Sequence, residues 1–187
     1  VFRRTLEAAV LQPGKPLRND GDAVAALSAA AGQRKVAAQY YIPHLAHASM
    51  ETPVATARFV DGKCEIWAPS QAPQGALESV AKHVGLDARD VTLHLTLLGG
   101  GFGRKSMADF ISEAALVSKA IGGTPVKLQW TRDDDIHHDY FHTVSVERME
   151  SVLDANGKPT AWLHRSAAPT ITSTFKAGAE GKAPFEA

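Results

Sequence analysis

Apolar positions along this chain recur at two spacings, and the switches between them lay out a series of short elements. An Ala-rich run over Ala23–Ala31, with Asp20 or Asp22 as its cap and Gly32 as its stop, predicts a helix. Lys35–Ile42 predicts a strand that Pro43 ends, followed by a polar loop over His44–Thr52. Ala55–Val60 and Cys64–Trp67 are strand-like runs joined by Asp61-Gly62, a two-residue hairpin signal. From Pro73 to Val84 the apolar residues Ala76, Leu77, Val80, Ala81 and Val84 fall at helical spacing, and Gly85 follows them. Asp87-Ala88-Arg89-Asp90 reads as a turn into a strand over Val91–Leu98. Another helix is predicted over Met107–Ile121, closed by Gly122-Gly123, with strands over Pro125–Trp130, Val144–Leu153 and Pro159–Ser166. Asn156-Gly157 marks the hairpin between the last two. Helices and strands interleave without an internal repeat. The pattern predicts an α+β (mixed α/β) fold, a mixed β-sheet with two or three helices.

Composition narrows the function classes. The 187 residues are enough to bury a core. No apolar run approaches the ~20 residues a membrane-spanning helix requires, so no membrane insertion is expected. Lys plus Arg and Asp plus Glu number 20 each, a balance that provides no global field to recruit nucleic acid. The single cysteine, Cys64, excludes an intrachain disulfide and a Cys-based zinc or iron–sulfur site within the chain. It reads as a buried small hydrophobe rather than a nucleophile. Arg3-Arg4 lacks the sustained apolar stretch that follows an export signal and reads as the end of a surface helix.

The densest chemical signal is Gly99-Gly100-Gly101-Phe102-Gly103-Arg104-Lys105, between a predicted strand and a predicted helix. Four missing Cβ atoms permit backbone angles closed to other residues and let a ligand approach main-chain N–H groups. At the start of a helix those groups favour an anion such as phosphate. A tight turn with no ligand is the alternative. Two nucleotide motifs fail here. A dinucleotide fingerprint needs a sixth-position glycine, where Arg104 or Ser106 stands, and a P-loop needs Gly-Lys-Ser/Thr, which Arg104 interrupts. Phe102 amid glycines suggests a wall beside a planar group or a substrate, or else a plug in the core.

Together, Pro69-Ser70-Gln71, the helix after it, the strand Val91–Leu98 and Gly99–Lys105 resemble the molybdenum-binding subunit of the xanthine dehydrogenase/aldehyde oxidase family. The nearest likeness is to the beta subunit of isoquinoline 1-oxidoreductase-type enzymes. His47-Ala48-Ser49-Met50-Glu51-Thr52 is similar to the family's H-x-x-[ML]-E-[PT] loop. Val126–Asp135 is similar to its strand end with R-[ED]-[ED]. The resemblance implies that Gly100, Gly101, Phe102 and Gly103 lie against a molybdopterin, with Gln71 nearby and Phe102 beside the substrate. Arg104 then pairs with a cofactor phosphate or caps a surface. The implied cofactor is molybdopterin, in the cytosine dinucleotide form usual in bacterial relatives. The implied partners are an iron–sulfur subunit carrying [2Fe–2S] clusters, a small-molecule substrate and a cytochrome as a possible electron acceptor. The implied reaction is oxidation of an N-heterocycle or aldehyde with water as oxygen source. A non-catalytic binding or assembly module of the same fold is the competing expectation.

Two departures stand out. Where some family members place a glutamine six residues before the loop glutamate, this chain has Leu45, and the family's later G-E-[PA] motif, which carries its catalytic glutamate, is absent from these residues. The expected organisation is an N-terminal helical segment over 1–34, a molybdopterin-binding portion over 35–170 and a flexible tail or linker over 171–187. The chain is expected to be a fragment, inactive alone.

Three further clusters carry weaker signals. His138 and His142 would share a helix face and could hold zinc, but with His137 and Asp139 they read better as a solvated loop or interdomain contact. Glu51 reads as a loop hydrogen-bonding group before a general base. Asp133-Asp134-Asp135 reads as a solvated turn, with a divalent-ion site as the alternative.

Overall fold

The computed structural model describes residues 2–32 and 34–171; of the tail or linker expected over 171–187, residues 172–187 lie outside the described residues. In chain order the elements are α1 (Phe2–Ala9), α2 (Ala23–Ala29), β1 (Arg34–Ile42), β2 (Val54–Val60), β3 (Lys63–Ala68), α3 (Pro73–Val84), β4 (Val91–Leu95), α4 (Asp109–Ala120), β5 (Val126–Gln129), α5 (Arg132–His137), β6 (Ser145–Leu153) and β7 (Pro159–Ala167). The fold is of the mixed α/β class that the pattern predicts. It differs in having two separate sheets and, among the described residues, five α-helices. The chain divides into two units, Val1–Leu45 with Thr143–Ala187, and Ala46–His142.

In the first unit, β1, β6 and β7 form an antiparallel sheet in that order. Its apolar cluster joins Leu6 and Val10 to Val144 and Val146. Arg3-Arg4 lies in the first turn of α1 rather than at its end. The Asp22 side chain caps α2 by accepting from the Ala25 N–H at 2.9 Å. Asp154 organises the Asn156-Gly157 loop, its Oδ1 accepting from the N–H groups of Asn156 and Lys158 at 2.8 and 2.9 Å.

In the second unit the sheet order is β4-β3-β2-β5. β2 pairs antiparallel with both β3 and β5, whereas β3 and β4 run parallel. A parallel pair needs a crossover, and α3 is that connection. Alternation along β2 and β3 puts Ala55, Ala57, Cys64, Ile66 and Ala68 on the buried face. Against them pack Val80 and Val84 of α3 and Phe110, Ile111, Ala114 and Ala115 of α4. Small residues on the strands let the helices approach closely. Burial pushes the Cys64 thiol up to about 11, which leaves it an inert packing group at neutral pH. Pro73 opens α3, and Gly85 closes it in the left-handed conformation at φ 73°, both as the sequence predicts.

Three boundaries differ from expectation, each for a physical reason. β4 stops at Leu95 rather than Leu98 because its partner β3 ends at Ala68, leaving Leu97 95% exposed. The helix predicted from Met107 begins at Asp109, since Met107 is extended and a 3₁₀ turn over Arg104–Ser106 comes first. The acidic run opens α5 instead of forming a solvated turn: Thr131 and Asp134 cap its start reciprocally.

Candidate cofactor-binding site

The glycine turn leaves β4 and is clamped from two sides within the second unit. Gly99 exchanges two hydrogen bonds with Glu51: its N–H donates to Oε2 at 3.1 Å, and its carbonyl accepts from the Glu51 N–H at 3.1 Å. A Cβ at Gly99 would fall 2.6 Å from the Glu51 Cβ, so only glycine fits. Gln71 forms the second clamp, with its N–H donating to the Lys105 carbonyl and its Oε1 accepting from the Gly103 N–H, both at 3.0 Å. At Gly101 a Cβ would lie 2.2 Å from that same Oε1. Gly100 and Gly103 take φ values of 95° and 110°, angles that L side chains rarely adopt.

Phe102 also has positive φ, at 54°, and its side chain is 73% exposed. It is no core plug. A bulky residue held in this conformation is strained and persists only where its surroundings over-determine it. Here the Arg104 N–H donates to the Gly101 carbonyl at 3.0 Å and the Ser106 N–H to the Gly103 carbonyl at 3.1 Å, so the turn is closed immediately behind Phe102. The turn therefore does not run directly into a helix N-terminus as the sequence suggests. That end of α4 already carries the Asp109 carboxylate.

The two basic residues of the turn point inward. The Arg104 side chain is fully buried and donates to both Asp109 oxygens, at 3.0 and 2.8 Å. Its guanidinium lies 5.2 Å from the ring centres of both Trp130 and Tyr140, and its Nε is 3.7 Å from Asp139 Oδ1. That Nε finds no hydrogen-bond partner among the described residues. The Lys105 side chain is also fully buried, its ammonium paired with Glu51 Oε2. Glu51 thus receives a backbone N–H and an ammonium, a structural clamp of the kind the sequence favours over a general base.

The loop His47–Thr52 is fastened from elsewhere. Asp139 takes the His47 N–H at 2.5 Å and the His47 Nδ1 at 2.8 Å. Burial works against the Asp139 charge, but these hydrogen bonds hold its carboxyl below the usual carboxylate range. Arg132 donates to the carbonyls of Ser49 and Met50 at 2.5 and 3.2 Å, and pairs with the buried Asp135. Asp134 is held low by its hydrogen bonds to Thr131. The three motifs singled out in the sequence, around His47, Gly99 and Arg132, converge on one region of one unit.

The histidine cluster does not assemble. α5 ends at His137, so His138 and His142 share no helix face. The Nδ1 atoms of His137 and His138 lie 2.8 and 3.0 Å from the carbonyls of Asp133 and Asp134. Among the described residues no group of three or more His, Cys, Asp or Glu side chains is arranged to hold a metal ion. No helix among them is long and apolar enough to cross a membrane. Asp109 and Asp139 join the site without having been singled out for it in the sequence, and Lys105 and Arg132, quoted there only within their motifs, join it through ion pairs to Glu51 and Asp135. Only the T-x-x-D spacing of Thr131 and Asp134 offered an advance signal for α5.

The donor set fits an acceptor-rich planar group. The N–H groups of Gly100, Gly101 and Phe102 find no protein acceptor among the described residues. Three adjacent free donors beside an exposed aromatic ring are what such a group requires.

The chain belongs to the molybdopterin cofactor-binding domain family, whose model matches residues 10–173. Among its curated relatives is a membrane-bound aldehyde dehydrogenase [pyrroloquinoline-quinone] from Gluconacetobacter polyoxogenes, 38% identical over 79% of this chain and 20% of the relative. Another is the isoquinoline 1-oxidoreductase subunit beta of Brevundimonas diminuta, 36% identical over 58% of this chain and 14% of the relative. The chain thus spans about a fifth or less of their lengths. Among solved structures, the aldehyde oxidoreductase from Desulfovibrio desulfuricans superposes with a TM-score of 0.58 at 20% identity, covering 80% of this chain and 17% of that one. That likeness establishes the fold.

Proposed function

We propose that this chain is the cofactor-seating portion of a molybdenum hydroxylase that oxidises an N-heterocycle or an aldehyde. The observation that carries the reading is the family match over residues 10–173, which includes the whole glycine turn. When bound, a molybdopterin would supply the oxidation of an electron-poor C–H carbon with oxygen from water, its electrons leaving through [2Fe–2S] clusters of an iron–sulfur partner. The residues of the chain bind and orient. Gly100, Gly101 and Phe102 offer N–H donors, Gly103 and Gln71 hold the turn open in shape, and the Phe102 ring shields one side of a planar group. Arg104 serves from behind, its charge held by Asp109 rather than presented to a phosphate. The free donors also suit the pyrophosphate of a cytosine dinucleotide form.

The test is metal and pterin analysis of the full-length protein co-expressed with its iron–sulfur partner. Molybdenum with a releasable pterin is expected. A quinone in its place, or neither, would defeat the reading, and the latter result would leave a non-catalytic binding module. Within the loaded protein, Gly101→Val drives a side chain into Gln71 Oε1. It should lower molybdenum content by roughly tenfold or more, given the loss of two or more hydrogen bonds. Normal molybdenum in that variant would sink the placement of the cofactor on this turn.

A further inference from the structure

The tip of the glycine turn holds a backbone that its own sequence disfavours. The Arg104 N–H donates to the Gly101 carbonyl at 3.0 Å, closing a four-residue turn whose two central residues, Phe102 and Gly103, both have positive φ, 54° and 110°. Turns with two such angles take glycine, asparagine or aspartate at their centre, because a larger side chain crowds the carbonyl oxygen. With phenylalanine there, the isolated segment would relax to a negative φ and carry the Phe102 ring and the neighbouring N–H groups elsewhere. Gln71 holds one side of the tip through the Gly103 N–H. The other side is held by Arg104.

Three elements grip that side chain. Its two terminal nitrogens donate to both oxygens of Asp109, the first residue of α4. Its guanidinium lies 5.2 Å from the ring centres of Trp130, just beyond β5, and of Tyr140, beyond α5. The buried Nε is left without a hydrogen-bond partner among the described residues, 3.7 Å from Asp139 Oδ1. An ion pair kept for stability alone would satisfy its buried donors. Here a strained φ and an orphaned buried donor stand two residues apart, and such costs gather where a conformation serves a ligand.

We propose that Arg104 is a positioning residue for the ligand seat: its forked, ring-flanked guanidinium holds the turn in the positive-φ form that turns the Phe102 ring outward and leaves the N–H groups of Gly100, Gly101 and Phe102 free for the cofactor. This rests on the reading of the turn as a cofactor seat. Arg104 itself touches no ligand. Lysine cannot replace it, since an ammonium is a point charge that neither grips a carboxylate with two parallel bonds nor lies flat between rings.

Phe102→Gly separates positioning from packing, because glycine takes positive φ unaided. Wild type, Arg104→Lys, Phe102→Gly and the double variant form a cycle, each made as the full-length subunit with its iron–sulfur partner. In cofactor-free protein, Arg104→Lys should raise hydrogen exchange at the Gly103 amide about tenfold. In loaded protein it should lower molybdenum and pterin content roughly tenfold. In the Phe102→Gly background the same substitution should change either reading by no more than about twofold. Equal losses in both backgrounds assign Arg104 to packing and overturn the proposal, as does normal molybdenum and pterin in Arg104→Lys. Should Arg104→Lys not fold, Asp109→Asn, which leaves the fork a single neutral acceptor, takes its place in the cycle with the same expectations. Wild-type protein without molybdenum or pterin defeats the seat itself, and the positioning role with it.

Discussion

The two units differ in their strands, three of nine residues in one and four of four to seven residues in the other, and they bury different things. In the unit formed by Val1–Leu45 and Thr143–Ala187, β1 leaves most of both its faces exposed, and the buried cluster is Leu6, Val10, Val144 and Val146. In Ala46–His142, α3 and α4 close one face of a four-stranded sheet over a continuous apolar core. Beside that core the same unit buries the side chains of Arg104, Lys105, Asp135 and Asp139. Taking charges out of water costs several kcal/mol each before pairing, so such a network needs a scaffold with stability to spare. A turn with Phe102 at positive φ needs the same. The candidate site therefore belongs to the unit with the denser core.

The largest effect that would break this contrast is in the apolar core. Phe110→Ala should cost about 3–5 kcal/mol in chemical denaturation, whereas Leu6→Ala in the other unit should cost about 2 kcal/mol. Equal losses would mean that the two cores bear similar loads. Next comes the ionic part. Glu51→Gln leaves the Lys105 ammonium buried without a counter-charge, and roughly 3 kcal/mol should be lost, together with protection of the Gly99 amide from hydrogen exchange. An unchanged exchange rate at Gly99 would show that the clamp does not depend on charge. Smallest is Asp139→Asn, at about 1–2 kcal/mol near neutral pH, for the loss of charged acceptors. The folded carboxyl titrates below its ordinary value, so the wild-type advantage is complete above about pH 5 and is lost as pH falls through the lowered value. Denaturation curves of both proteins across that range check it. A difference that persists in acid would assign the effect to packing.

Much of the fold was legible because its signals are local. The hairpin at Asp61-Gly62 forms with both residues at positive φ. α3 runs from the proline to the residue before the glycine that bracket it in the sequence. α5 was not legible: its six residues are short for an apolar period, and three adjacent aspartates look like a solvated turn until Thr131 and Asp134 are seen to cap each other. Of the site, the glycines, Gln71 and the His47–Thr52 loop could be singled out by residue type and order. Their partners could not, since His47 and Asp139 are 92 positions apart and Lys105 and Glu51 54 apart.

By itself the sequence determined most of the strands and the longer helices, that the turn after β4 must be glycine-rich, and which family the chain resembles, because periodicity, chain breaks and motif order are properties of neighbouring residues. Only the tertiary structure decided that Arg104 and Lys105 turn inward, that Phe102 turns out, and that His47 stands beneath Gly103. A side chain's direction depends on which charges the fold brings within reach, and no local pattern carries that.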